Sequence, residues 1–222
     1  MKIYDRLDVS ILAAIVDEAT KVGLPVAGHA PFAVPIETTL SSGVRSLEHG
    51  QLYPFAYLSD GVQLPEGPFQ PQTHYPPEIA SLDAPTLKSW GPENFRFQMF
   101  QDRQLLALRA LGRAALMPFV ADLDRAGGKL LVGSDAPEAF VVPGSGLHDE
   151  LRYLVEAGLT PARVLKAATV DAASYLGRDD WGRVQPGAEA DFILLSDNPL
   201  EDIAATRSIE GVVNDGHWMP SR

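Results

Sequence analysis

His29, His49 and Asp135 are the residues whose types and placement suit chemistry in this sequence. Each follows a short apolar run that reads as a β-strand: Leu24 to Gly28, Val44 to Leu47, and Leu130 to Val132. Two imidazoles and one carboxylate suit a borderline divalent ion, zinc first, with manganese, cobalt and iron as alternatives. Such an ion acidifies a bound water and polarises a carbonyl, and a carboxylate within about 3 Å can carry the water's proton. Asp135 is therefore the candidate for both ligand and proton carrier, and Lys2, inside the opening apolar run, shares the strand address. A plainer reading stands beside each residue. A lone histidine at a strand end serves as a satisfied polar group, and an aspartate there caps the next turn. His148 opens a helix beyond the loop of Asp135 and reads either as a contact to substrate or to Asp135, or as a surface residue. His74 and His217 read as ordinary.

These side chains can meet only if the strands that carry them end on one side of one sheet. Asp8 or Ser10 caps a helix whose apolar residues Ile11, Leu12, Ile15, Val16, Ala19 and Val22 recur with helical period, and Gly23 ends it. The next strand delivers His29. Ile36 to Ser42 is a second short helix closed by Gly43, and its following strand runs into Glu48-His49-Gly50. Strand, helix, strand, with a polar residue at each strand exit, is the pattern of a parallel β/α fold, in which strand C-terminal ends share one mouth. Gly127-Gly128 and Gly133-Ser134-Asp135 bracket Leu130 to Val132, which reads as a strand buried on both faces.

Helices are expected over Gln101 to Leu111, over Ala114 to Ala126 with Pro118 near its first turn, and over His148 to Glu156. Thr160-Pro161 starts another that runs to Leu176-Gly177 with a break near Thr169. Residues 51–94 are rich in proline and lack periodicity. This insertion reads either as a surface excursion or as an active-site cover whose Phe55, Tyr57, Tyr75 and Trp90 line an apolar pocket. The last segment becomes antiparallel, with a strand at Ala190 to Leu195 and a hairpin turning at Asn214-Asp215-Gly216. The expected domains are a β/α body over 1–178 and a small β-module over 179–222.

The chain has 222 residues, a formal net charge of -11 and 45% apolar content. That charge, without any cluster of Lys or Arg, argues against nucleic acid as a partner and for a small-molecule substrate. The absence of cysteine removes thiolate nucleophiles and Cys-based metal sites. There is no signal-peptide core and no run of about 18 apolar residues, so no membrane partner is expected. The sequence as written reads as cytoplasmic, with secretion open if it is a piece of something longer. Dinucleotide fingerprints, phosphate loops, HExxH and GxSxG are absent, and Ser134 and Asp135, adjacent on one strand exit, do not form a hydrolase dyad.

Gly28-His29-Ala30, Leu47-Glu48-His49-Gly50, Gly133-Ser134-Asp135-Ala136, Leu147-His148-Asp149-Glu150-Leu151 and Ala167-Ala168-Thr169 to Leu176-Gly177 resemble, in order, successive motifs of the amidohydrolase superfamily. Gly187 to Leu195 and Asn198-Pro199-Leu200 resemble its C-terminal tail. The nearest flavour is the imidazolonepropionase-like and Xaa-Pro dipeptidase-like group. The resemblance implies a metal-dependent hydrolase on a (β/α)8 barrel with a small β-sandwich appendage. His29 and His49 would be metal ligands after the fifth and sixth strands, Asp135 the ligand and proton-transfer residue after the eighth, and Lys2 a carboxylated lysine bridging two ions after the fourth. One or two ions are expected.

The family's His-x-His pair of the first strand has no counterpart here. The expected architecture is thus a partial barrel, strands four to eight, where a whole one takes about 250 residues. Its open parallel edges imply a homo-oligomer or pairing with a separate N-terminal half. Two functions follow. The first is hydrolysis of an amide or cyclic amide C–N bond in a small molecule or dipeptide. The second is a non-catalytic subunit or truncated fragment that keeps only the scaffold.

Overall fold

A computed structural model describes residues 1–49, 82–95, 103–136 and 141–221, with backbone alone over 103–111 and at 113. The chain divides into two compact units, Met1–Leu64 with Ala110–Leu116 and Pro65–Arg109 with Met117–Arg222. None of the described helices is long and apolar enough to cross a membrane.

The first unit alternates strand and helix: β1 (Lys2–Ile3), α1 (Val9–Lys21), β2 (Ala27–Gly28), α2 (Ile36–Ser41) and β3 (Ser46–Leu47). The three strands are parallel in the order β1-β2-β3, pairing Lys2 with Ala27 and Ala27 with Ser46. Only two residues of each expected strand join the ladder, although backbone bonds from Arg45 N to Val26 O and from Glu48 N to Gly28 O extend it at both ends. Asp8 caps α1, accepting from the Ile11 amide at 2.8 Å and the Ser10 hydroxyl at 2.7 Å. These bonds hold its carboxyl below the ordinary aspartate range. The helical stripe Leu12, Val16 and Ala19 packs with Ile3, Val26 and Val34 into one core, so the face that forms the helix also fixes the sheet. Gly28 is required by contact as well as by conformation. Its φ is +142°, and a Cβ there would stand 2.2 Å from the Ile3 carbonyl oxygen. The position that admits no Cβ against β1 is thus the one just before His29.

The sequence led us to expect two helices between residues 101 and 126. The structure has one, α4 (Arg103–Arg125), with Pro118 inside it rather than in a first turn. Flanking Ala114, Ala115, Leu116 and Met117 are strong helix formers, and a proline removes one ladder bond without supplying a stop.

In the second unit, α3 (Ala84–Ser89) starts on the Asp83 cap and is followed by the buried Trp90. The proposed cover residues Phe55, Tyr57 and Tyr75 lie outside the described residues, as does His74. Helix α5 (Ser145–Glu156) presents Leu151 and Leu154 to a core with Leu159, Val164 and Ile203. Thr160 caps α6 (Pro161–Lys166) by accepting from Arg163 N, with proline at the first helical position as expected. The break near Thr169 takes the form of a π-helical turn (Ala167–Asp171) before α7 (Ala172–Tyr175). Arg163 ties this turn to α4, donating to Asp124 at 2.7 Å and to Asp171 at 2.9 Å.

Leu130 to Val132 departs from expectation. Among the described residues it joins no ladder, and it buries one face only: Leu130 and Val132 pack against the second core, while Leu131 is 39% exposed. Three apolar residues mark an extended segment, but the neighbour needed on each edge of a buried strand is not a property of the segment itself.

The antiparallel ending is present as β4 (Phe192–Leu195), β5 (Ile209–Asn214) and β6 (His217–Pro220), in that sheet order. Asp215 and Gly216 form its two-residue turn, both at positive φ as a hairpin of right-handed twist requires.

Candidate metal centre

Two neighbouring parallel strands bring both expected histidines to one place. His29 leaves β2 and His49 follows one residue after β3, and their rings meet edge to face with centroids 4.6 Å apart. One donor atom each from His29, Glu48 and His49 lies within 4.8 Å of the others. Around a zinc ion, tetrahedral ligand atoms are separated by about 3.4 Å, so modest side-chain rotation closes the set on one cation. Two imidazoles with a carboxylate are also the donor chemistry that a borderline ion prefers, and the group fits one.

Two further side chains shape this cluster. Asp5, which follows β1, places its Oδ1 2.6 Å from His29 Nδ1, with Asp5 and His29 both mostly buried. The carboxylate accepts the Nδ1 proton, which leaves Nε2 as the ring's lone-pair donor. Tyr4 packs on the same ring at 4.1 Å. Lys2, in β1, reaches Glu48 with its Nζ 2.8 Å from Oε2, and that same Oε2 is 3.9 Å from His49 Nε2.

Glu48 is the functional candidate that the sequence pattern conceals. Successive residues leaving a strand point to opposite faces, so Glu48 and His49 should diverge. His49 does not obey, because its φ is +63°. The left-handed turn re-aims its ring toward the face that Glu48 occupies. Histidine and aspartate are among the few non-glycine residues that enter this region readily, and it is over-represented at functional sites.

Asp135 and His148 belong to the second unit. Asp135 is exposed and has φ +57°, so two of the three described non-glycine residues at positive φ are expected metal-site residues, the third being the hairpin Asp215. His148 Nδ1 lies 2.9 Å from Thr206 Oγ1. Thr206 gives its own proton to Ile203 O at 2.8 Å, so it must accept from His148, whose Nδ1 carries the hydrogen. Arg207, the next residue, holds Asp149 and Ser145. His217 bonds to the Asp215 carbonyl and is exposed, as expected of an ordinary hairpin residue. Burial pushes the half-buried Glu150 carboxyl above its ordinary value.

A profile described as the Amidohydrolase family matches residues 7–219. Ochratoxinase of Aspergillus niger is 27% identical over 212 residues, covering 91% of this chain and 39% of that protein. Among solved structures, "AH, Bottromycin amidohydrolase" aligns with a TM-score of 0.73 and 25% identity, over 99% of this chain and 55% of that one. A Xaa-Pro dipeptidase crystallised with bound methionine shares the fold, with a TM-score of 0.64 and 23% identity over 97% of this chain and 49% of its own. The chain thus spans about half the length of these solved structures, and less of the ochratoxinase.

Proposed function

This chain belongs to the amidohydrolase family, and from that premise we propose that it carries the metal-binding portion of a hydrolase that cleaves amide or cyclic amide C–N bonds in a small molecule or dipeptide. The observation that carries this reading is the meeting of His29 and His49 at the ends of two adjacent parallel strands. The activities named for two relatives, a bottromycin amidohydrolase and a Xaa-Pro dipeptidase, support the bond class.

His29 and His49 would hold a divalent ion, zinc first, through imidazole nitrogens, with Asp135 as the further ligand. Bound there, the ion supplies positive charge that polarises the scissile carbonyl and acidifies water. Asp5 fixes the tautomer of His29. Asp135 takes a proton from the attacking water as the O–C bond forms and returns it to the leaving nitrogen as the C–N bond breaks. Lys2 stands where the resemblance implies a carboxylated lysine that would bridge to a second ion, and its Nζ lies 2.8 Å from Glu48 Oε2. His148, on α5 and bonded to Thr206, contacts substrate or supports Asp135 in this reading.

The architecture that goes with this reading is the (β/α)8 scaffold from its fourth strand onward over 1–178, with the β-module over 179–222. Strands β1 and β3 are the outer strands of the described three-stranded sheet, and in this reading a second copy or a separate N-terminal portion completes the scaffold. The scaffold-only alternative is disfavoured by the donor set. Metal content of the purified chain after zinc loading and dialysis tests the proposal, together with hydrolysis of N-acyl amino acids, Xaa-Pro dipeptides and lactams. About one zinc per chain, lost in His29→Ala and His49→Ala, is expected. Asp135→Asn should abolish turnover while the fold persists. A folded chain that retains no zinc would overturn the reading.

A further inference from the structure

We propose that Tyr4 and Phe32 form a subsite for an aromatic or other large apolar group beside the scissile bond, which narrows the substrate class to amides that carry such a side chain. This rests on the reading of His29 as a metal ligand. Three observations carry it. The Tyr4 ring lies on the imidazole of His29, with centroids 4.1 Å apart and planes 32° from parallel, yet the residue is 60% exposed. Phe32, in the loop that His29 opens, is 67% exposed. Its amide donates to the Asp5 carbonyl oxygen at 2.9 Å, which joins the loop after β2 to the loop after β1 at the residue that follows Tyr4.

The exposure of Phe32 does not come from a slack loop. Ala30, Pro31 and Val34 are buried on either side of it, and the Val34 amide closes a turn on the Pro31 carbonyl at 3.2 Å. The loop thus buries its small residues and holds its largest apolar one in water. Single exposed apolar side chains are ordinary, but two aromatics on adjoining loops at the same strand ends form a patch, and patches of that kind mark binding grooves. What covers this one follows from the contact between Tyr4 and His29. A carbonyl drawn to an ion on His29 brings its neighbouring substituent toward the Tyr4 face, with Phe32 on the adjoining loop. Asp5 is engaged with His29 Nδ1 at 2.6 Å, so the seat offers ring faces and edges rather than a spare anion. A neutral aromatic group pairs with such surfaces by offset or edge contacts.

Calorimetric titration of the zinc-loaded full chain with hydroxamates tests this, because these probes chelate zinc and carry their arm where a substrate's acyl substituent would lie. Phenylacetohydroxamate should bind about tenfold or more tightly than acetohydroxamate. That ratio should fall about threefold or more in Phe32→Ala and in Tyr4→Leu, and Phe32→Tyr, which keeps the ring, should restore it. Far-UV circular dichroism checks folding throughout. Equal affinities for the two hydroxamates in the wild type, or a ratio that neither variant lowers, would overturn the subsite alone. Tighter binding of aminohexanohydroxamate than of phenylacetohydroxamate would do so too, by making the two aromatics a seat for a cation. Failure of the chain to load zinc, or hydroxamate binding indifferent to His29→Ala, would instead remove the reading of His29 beneath it.

Discussion

Asp5 Oδ1 lies 2.6 Å from His29 Nδ1, so the carboxylate that follows β1 decides which nitrogen the histidine after β2 can offer to a metal. The pair links a loop residue with no evident task of its own to the chemistry of its neighbour. A metal-binding imidazole gains basicity and a fixed ring orientation from such a partner. Asp5→Ala is expected to weaken zinc binding by about 10-fold to 100-fold. Competition against a chromogenic chelator measures the loss. Wild-type affinity in a folded Asp5→Ala protein would mean that Tyr4 and the strand alone orient His29.

Gly28 is expected to tolerate no side chain. Its left-handed backbone opposes alanine, as does the Ile3 carbonyl oxygen, which would stand only 2.2 Å from the added Cβ. Strand β1 cannot withdraw without breaking its pairing with β2. Gly28→Ala should destabilise the first unit by about 2 kcal/mol or more, from strain and overpacking together. Urea unfolding followed by circular dichroism checks this. A change smaller than about 0.5 kcal/mol would show that the strands part freely.

The residues that could be read from sequence were those whose signals are local. A capping Asp8, a helical stripe, a glycine stop and a histidine after an apolar run sufficed to place His29 and His49 on parallel strands, because each cue involves only a few neighbouring residues. Glu48 escaped because the alternation rule sends it away from His49, and only the +63° φ of His49 reverses that. Asp5 escaped because its partner is 24 residues distant. Pro118 misled in the opposite way: a strong local breaker was outweighed by the helix formers that precede it. The half-exposed Leu130 to Val132 segment failed for lack of information about its neighbours. Local chemistry was legible, and what depended on tertiary placement was not.

His148 is expected to matter for stability rather than for metal. Its Nδ1–H donates to Thr206, which is 8% exposed and already gives its own proton to Ile203 O. Thr206→Val leaves the imidazole donor without that acceptor and should cost about 1–3 kcal/mol, the penalty for an unsatisfied buried group. Zinc affinity should be unchanged. Equal losses of affinity and stability would instead tie His148 to the centre.

Glu150 supplies a test with a defined pH dependence. It lies on α5 one residue before the buried Leu151, and burial raises its carboxyl pKa in the folded chain. The folded state therefore holds this proton more tightly than the unfolded state does. For a raised acid the associated stability is fully present below the unfolded value, near 4.5, and is lost as pH rises through the higher folded value. At neutral pH the native protein must either keep a charge in a partly desolvated place or bind a proton from dilute solution. Glu150→Gln removes that choice while keeping the shape and a hydrogen-bonding head. Its melting temperature should exceed that of the wild type at pH 7, and the difference should shrink steadily as pH falls toward 4.5. Thermal melts of both proteins across this range decide it. A difference independent of pH would mean that folding leaves the Glu150 carboxyl unshifted, and one that grows on acidification would mean that the fold holds it in its charged form.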